Sequence, residues 1–194
     1  GKKVIERLRD AGICDLFKTI LAHCLYLDGY EKEIVRNSPA WVVQNPESNL
    51  NNNVGFFNGT GMGENIMLGT DGMHSDMIRS AQSAYFSGLA HENLSPDLVY
   101  QRLRRVHDYL RANRFAGDNA NNLVVLDYDS PTAISVNNFT GHFIYGFENR
   151  HIRDVISNGK LILHDRRLTT VDEDDTLQFI REMANKLWKN MNDL

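Results

Sequence analysis

The chain has 194 residues, of which 42% are hydrophobic and 24% charged, and its formal net charge is −4. This composition is ordinary for a globular protein, and the small negative charge gives no electrostatic reason to expect nucleic acid as a partner. No stretch approaches the roughly 18 apolar residues of a membrane-spanning helix, and the N-terminus lacks a signal-peptide pattern. We therefore expect a cytoplasmic protein without membrane contact, whose Cys14 and Cys24 are reduced thiols.

Short apolar runs alternate with helical segments over the first ~90 residues, which is typical of a parallel β/α architecture. The predicted strands and helices are, in chain order, residues 19–22, 28–37, 41–44, 65–70 and 75–86. Gly88 is predicted to end the last of these helices as a left-handed C-cap. The glycine-bearing segment 59–63 precedes a strand instead of joining a strand to a helix, so we interpret it as a flexible connection and not as a phosphate loop.

The second half of the chain changes character. Ser95 and Pro96 are predicted to begin another helix, and the polar stretch 113–122 then indicates a boundary. Beyond it we predict strands, with Asn158-Gly159 forming the turn of a hairpin, and a capping box at Thr170 that opens the last helix. The predicted strands are residues 123–127, 143–145, 154–157 and 160–163. The predicted buried face of the last helix is formed by Leu177, Ile180, Met183, Ala184, Leu187 and Trp188.

Polar residues cluster where the first three predicted strands end. These ends deliver His23, the turn-rich loop 45–49 and Asp71. In β/α barrels and open α/β sheets the carboxyl ends of the strands share one mouth, where an aspartate can bind a metal or accept a proton. Taken alone, His23 also fits a partly buried histidine, and Asp71 fits a turn or helix cap. The set Asp71, His74 and Asp76 fits a metal cluster and a turn with capping side chains equally well.

Several segments together resemble the amidohydrolase superfamily. They are Ala22-His23-Cys24, the stretches 45–49 and 51–55, the stretch 68–77, and downstream the stretches 123–132 and 155–160. The likeness is greatest to the branch that holds chlorohydrolases, guanine-type deaminases and SsnA-type aminohydrolases. It implies an α/β fold: the C-terminal part of a (β/α)8 barrel (strands 6–8, residues 1–117), a small antiparallel β-sandwich segment (residues 118–170) and a C-terminal helix (residues 171–194).

The resemblance also implies roles for individual residues. Asp71 would bind the metal, which would be zinc or iron, and would accept a proton from the metal-activated water. His23 would lie beside that water and help to polarise the substrate. Asn49 and His74 would contact the substrate. The implied reaction is hydrolysis of a carbon–nitrogen bond other than a peptide bond, with a heterocyclic small molecule as the substrate.

The family's metal-binding histidines on the first and fifth strands have no counterpart in this sequence. A catalytic zinc needs about three protein ligands, so we expect most ligands to lie outside this chain, in a missing N-terminal half or in a second chain. Gly1 in place of methionine suggests either truncation or the remnant of a tag. Two alternatives to an aminohydrolase stay open: a non-catalytic fragment or barrel-completing subunit, and, among enzymes, a chlorohydrolase. The resemblance is also compatible with a homodimer.

Overall fold

The computed structural model describes residues 1–117 and 121–193. It forms two compact units, one of residues 1–116 and 129–149 and the other of residues 117–128 and 150–194. Residues 118–120, at the predicted boundary, and residue 194 lie outside the described residues. Residues 129–149 were expected in the β-sandwich segment but pack with the first unit. The three predicted segments stay a prediction about the organisation of the complete protein.

The first unit contains a parallel sheet in the order β1-β2-β3, with strands Ile20–Ala22, Trp41–Gln44 and Ile66–Leu68. All three were predicted: β2 has the predicted bounds, β1 begins one residue later than predicted, and β3 is shorter than predicted at both ends. Leu21 lies opposite Val42, and Val42 opposite Ile66, so the strands run in register from a common starting edge. Every residue of β3 is buried, as expected of a parallel sheet that is covered on both faces.

Six helices belong to this unit, and three of them begin at a residue whose side chain caps the helix. The helices are α1 (Val4–Asp10), α2 (Gly29–Arg36), α3 (Pro46–Asn51), α4 (Met77–His91), α5 (Pro96–Ala112) and α6 (Phe139–Tyr145). Short 3-10 turns occupy Ile13–Asp15 and Asn149–His151. The side chains of Asp28, Asp76 and Ser95 accept hydrogen bonds from the first turns of α2, α4 and α5. These bonds satisfy amide groups that a helix start leaves unpaired.

Two predictions about glycines were wrong because packing decides these positions. Gly88 lies inside α4, where a Cβ atom would stand 2.3 Å from Leu94 Cδ1, so close packing requires the glycine. The segment 59–63 is not loose: Met62 is buried, and Lys32 Nζ donates hydrogen bonds to the carbonyl oxygens of Asn58 and Thr60. A Cβ on Gly59 would meet the buried ion pair of Arg102 and Glu92 at 2.8 Å.

The predicted strand at 143–145 is helical instead. Its residues close the helix α6, in which Phe143 and Ile144 are both buried. The rings of Phe139 and Phe143 stack at a centroid distance of 6.5 Å, and Phe147 packs edge-on against both. Aromatic side chains four residues apart share one face of a helix, and this spacing outweighs the high strand propensity of the segment.

The second unit is built on an antiparallel sheet in the order β4-β5-β6-β7. Its strands are Leu123–Leu126, Ile152–Ser157, Lys160–His164 and Arg167–Leu168. The predicted hairpin is confirmed: Asn158 and Gly159 have φ values of 49° and 75°, as its two-residue turn requires. Strand β5 pairs with β4 on one side and with β6 on the other.

Helix α7 spans Glu173–Asn192 and departs from prediction at its start and along its apolar face. Its cap is Asp172, which accepts a hydrogen bond from the Asp175 amide, and not Thr170. Within the described part of the unit no residue of α7 is buried, and Trp188 is 59% exposed. The amphipathic pattern predicted the helix correctly, but the apolar side is left uncovered by the described residues of its own unit. No helix among the described residues is long and apolar enough to cross a membrane.

Candidate active site at the ends of the parallel strands

The chain leaves β1 and β3 through strained residues. His23, directly after β1, has φ of 67°, and Asp71, three residues after β3, has φ of 55°. Up to that point the sheet pairing continues, because the amide of His23 donates to the Val43 carbonyl and the amide of Gly69 to the Gln44 carbonyl. A left-handed backbone costs a non-glycine residue about 1 kcal/mol or more, and such residues cluster at functional sites.

These turns bring the two candidate catalytic side chains together. His23 Nε2 lies 3.4 Å from Asp71 Oδ2. The side chain of His23 is 37% exposed and that of Asp71 is 43% exposed, so both can be reached from solvent. His23 and Asp71, which follow the two outer strands of the sheet, are thus in contact at its carboxyl edge.

Helix α3 lies between them and replaces the predicted turn-rich loop 45–49. Pro46 occupies its first turn, where the missing amide hydrogen costs nothing, so the proline that suggested a loop instead starts a helix. Ser48 Oγ donates to Asp71 Oδ2 at 2.6 Å, and His23 Nδ1 lies 2.8 Å from Asn49 Oδ1. Asn45 Oδ1 accepts a hydrogen bond from the backbone amide of Asp71.

Asn49 is almost wholly buried, at 2% exposure. Its Nδ2 has no hydrogen-bond partner within the part of the chain that the structure describes. A buried amide with one unsatisfied atom is uncommon in native structures. Its predicted contact with the substrate stays a prediction, because the contact observed in this chain is with His23.

The surroundings of Asp71 favour its ionised form. The hydrogen bond from Ser48 lowers the pKa of Asp71 most, the amide of Gly72 lowers it further, and His23 adds a smaller electrostatic contribution, whereas partial burial acts in the opposite direction. The carboxylate is therefore charged at neutral pH and ready to accept a proton or to bind a cation.

His74, the second predicted substrate contact, is engaged elsewhere. Its Nε2 is hydrogen-bonded to Glu47 of α3, and its Nδ1 accepts from the amide of Asp76. Arg79 donates to the other oxygen of Glu47 at 2.7 Å. Asp76 caps α4 by accepting from the amides of its first turn. Of the two interpretations of Asp71, His74 and Asp76, the geometry thus favours a turn with capping side chains over a metal cluster.

A divalent metal fits this site only in part. Asp71 offers a carboxylate oxygen beside the imidazole nitrogen of His23, and the orphaned Asn49 amide lies behind that imidazole. Within residues 1–117 and 121–193, however, no three histidine, cysteine, aspartate or glutamate side chains are grouped so as to hold a metal ion. Since a catalytic zinc needs about three protein ligands, the described residues supply one side of a metal site and not a whole one.

The segment 45–49 was predicted to reach the site, but no individual role was predicted for its residues Asn45, Glu47 and Ser48. They lie in the same strand-end segment as Asn49, so their position was a usable signal. Their partners were not predictable, because hydroxyl and amide groups next to a proline are as typical of turns as of supporting hydrogen bonds. The contact of Glu47 with His74 depends on how α3 and α4 pack, which local sequence does not reveal.

Known proteins with related sequences include deaminases. A 5′-deoxyadenosine deaminase of Methanococcus maripaludis is 25% identical, with 97% of this chain and 48% of that protein covered. A 5-methylthioadenosine/S-adenosylhomocysteine deaminase of Thermoanaerobacter pseudethanolicus is 26% identical, with 96% and 47% covered. The resemblance to the amidohydrolase superfamily is thereby confirmed. No protein-family model matches the chain.

Solved structures of a deaminase and a chlorohydrolase share the fold of this chain. An adenosine deaminase from Xanthomonas campestris with bound zinc superposes with a TM-score of 0.80 at 22% identity, with 95% of this chain and 46% of that one covered. A zinc complex of atrazine chlorohydrolase from Arthrobacter aurescens gives 0.68 at 14% identity, with 89% and 42% covered. The chain spans about half the length of the curated relatives that it matches, within their C-terminal portion. The likeness to SsnA-type aminohydrolases stays a prediction.

Proposed function

We propose that this chain is part of a metal-dependent aminohydrolase that replaces an amino group on a heterocycle with oxygen from water and releases ammonia. Strands β1, β2 and β3 correspond in this proposal to strands 6, 7 and 8 of a (β/α)8 barrel. The deaminase relatives support the reaction type, and the parallel order β1-β2-β3 supports the barrel.

One observation carries the proposal. His23 and Asp71, from the ends of two different strands, stand 3.4 Å apart at an accessible position. Both are held in left-handed backbone conformations, and both are hydrogen-bonded to α3. An arrangement that keeps a charged carboxylate and an imidazole open to solvent suits proton transfer better than it suits a role in stability.

In this proposal the chain's own residues handle the proton and the substrate. Asp71 would accept the proton of the attacking water and would also be one of the residues that hold the metal. His23 would lie beside that water and help to polarise the substrate. A divalent ion, when bound, lowers the pKa of a water molecule from about 15.7 toward about 7. The remaining ligands would come from the part of the protein that this chain does not contain, or from a partner chain. The predicted substrate contacts of Asn49 and His74 stay predictions.

The test uses the full-length protein that carries this chain. Its divalent metal content is measured first, and release of ammonia is then assayed with 5′-deoxyadenosine, 5-methylthioadenosine, guanine and an amino-triazine. Asp71→Asn should lower kcat by about 10²–10⁴-fold, because a neutral amide cannot take up the proton. Asp108→Asn, which alters an exposed carboxylate on α5, is the matched control and should leave kcat unchanged.

The same assay separates the alternatives. Release of chloride from a chlorotriazine without release of ammonia would identify a chlorohydrolase instead. A full-length protein that binds no divalent metal and hydrolyses none of these compounds would favour the non-catalytic fragment or subunit. Unchanged hydrolysis in Asp71→Asn would exclude the role proposed for this aspartate.

A further inference from the structure

Three consecutive side chains of α3 each hold a different residue of the candidate site. Glu47 binds His74, Ser48 binds Asp71, and Asn49 binds His23. A helix rotates successive side chains by about 100°, so residues in sequence rarely serve one surface. Here the helix is short and lies between the ends of β1 and β3, which allows it to reach partners on both sides.

Ser48 restricts the carboxylate of Asp71. Its hydroxyl donates to Oδ2, while the amide of Gly72 donates to Oδ1 at 2.8 Å, so both oxygens are fixed. Ser48 is 4% exposed, and Asn52 Nδ2 approaches its Oγ at 3.4 Å. Because Asn52 donates to the Ser48 hydroxyl, the hydroxyl hydrogen itself is directed at Asp71.

Asn49 restricts the imidazole of His23. The bond between Asn49 Oδ1 and His23 Nδ1 occupies one ring nitrogen and leaves Nε2 directed at Asp71. The Asn49 side chain is packed tightly, while the His23 side chain is 37% exposed and would otherwise choose among rotamers. When the His23 ring is already fixed in one orientation, it does not lose conformational entropy at the moment a substrate binds.

We propose that α3 is the positioning element of the site, with Ser48 acting through Asp71 and Asn49 acting through His23. Neither residue needs to touch the substrate or the metal. The effect on side-chain geometry is a property of this chain itself, and its consequence for catalysis rests on the proposed function.

The geometric part is tested by NMR on the isotopically labelled full-length protein that carries this chain. Three-bond couplings from Cγ to the backbone nitrogen and carbonyl carbon report the χ1 rotamers of His23 and Asp71. Ser48→Ala should average the couplings of Asp71 and leave those of His23 fixed, whereas Asn49→Leu should do the reverse. A merely structural role would not produce this crossed pattern, because loss of packing would loosen both side chains together.

The matched controls change the same residue types without touching the site. Asn51→Leu alters an exposed residue of the same helix, and Ser87→Ala removes a hydroxyl that bonds only to the backbone of α4. Neither should alter the couplings of His23 or Asp71. The conservative variants Ser48→Thr and Asn49→Asp keep the hydroxyl and the acceptor oxygen, so they should retain single rotamers even where the alanine or leucine variant folds poorly.

The catalytic part is tested in the full-length protein. Loss of a residue that orients a ligand or catalytic group typically costs about 10–100-fold in activity, so Ser48→Ala and Asn49→Leu should lower kcat by that factor with a smaller change in KM. Fixed couplings in both variants, averaging of both side chains in each variant, or averaging in the conservative variants would overturn the proposal. A full-length protein with no hydrolase activity would instead refute the proposed function and leave the NMR result standing.

Discussion

The two units of this chain each hold an aspartate whose pKa is lowered, yet they use it differently. In the first unit Asp71 is held mainly by neutral donors, a serine hydroxyl and a backbone amide, and its side chain is 43% exposed. In the second unit Asp154 is 8% exposed and is enclosed by Arg153, His164 and the amide of Asp165. Both carboxylates are stabilised as anions, but only Asp71 remains open to an incoming group.

The difference shows that a lowered pKa does not by itself mark a functional residue. The guanidinium of Arg153 pairs with Asp154 within the same unit, so the charge of this carboxylate is already compensated there. Neutral donors keep Asp71 ionised while leaving its charge uncompensated apart from His23. The units also treat their ion pairs differently: the first buries the pair Arg102–Glu92, and the second keeps Arg166 and Asp127 near the surface.

The largest expected effect on stability comes from breaking the buried pair. Arg102 and Glu92 are 6% and 5% exposed at their side chains, and Arg102 also donates to Gln44 Oε1. Glu92→Gln leaves the guanidinium buried without a counter-charge, and we expect a loss of about 3–5 kcal/mol in the free energy of unfolding. Urea denaturation followed by circular dichroism measures it.

The control for that experiment is an exposed pair in the same unit. Glu33→Gln disrupts the contact of Glu33 with Arg36, whose side chains are 55% and 50% exposed, and should change the free energy of unfolding by less than about 1 kcal/mol. Replacing both buried partners by leucine should recover most of the loss. Equal effects of Glu92→Gln and Glu33→Gln would mean that solvent reaches the buried pair.

The parallel strands and the hairpin were predictable because their signals are local. Apolar runs ending in polar residues predicted β1, β2 and β3, and Asn158-Gly159 predicted its turn from the need for positive φ. The helix α6 and the interior position of Gly88 were not, since aromatic stacking and the contact with Leu94 depend on tertiary packing. In the site, His23 and Asp71 were predicted to meet, but the roles of Ser48 and Glu47 depend on where α3 lies.

Two glycine substitutions compare packing in the first unit with backbone freedom in the second. Gly88→Ala would place a methyl group 2.3 Å from Leu94 Cδ1, and we expect it to cost about 1–3 kcal/mol through overpacking. Gly159→Ala meets nothing closer than 4.0 Å, so it should cost only about 1 kcal/mol, for the left-handed backbone at φ of 75°. Differential scanning calorimetry should show a larger fall in the melting temperature for Gly88→Ala than for Gly159→Ala. Gly72→Ala should not lower the melting temperature, because a Cβ atom at that position meets no other atom within 4 Å.

The smallest expected effect is a pH dependence that belongs to the second unit alone. The amide of Asp165, then Arg153 and His164, hold the pKa of Asp154 well below its usual value of 3.8. A carboxyl with a lowered folded-state pKa contributes stability above its unfolded pKa and loses it as the pH falls through the folded one. The amides of β5 and β6 should therefore exchange faster with solvent deuterium as the pH drops below about 3.8, after correction for intrinsic exchange rates.

Two variants test this prediction. Asp154→Asn should weaken the protection of these amides at neutral pH and flatten its acid dependence. Asp71→Asn should change neither the protection of these amides at neutral pH nor its acid dependence, because Asp71 belongs to the other unit. A flattened acid dependence in Asp71→Asn would contradict the division of roles between the two aspartates.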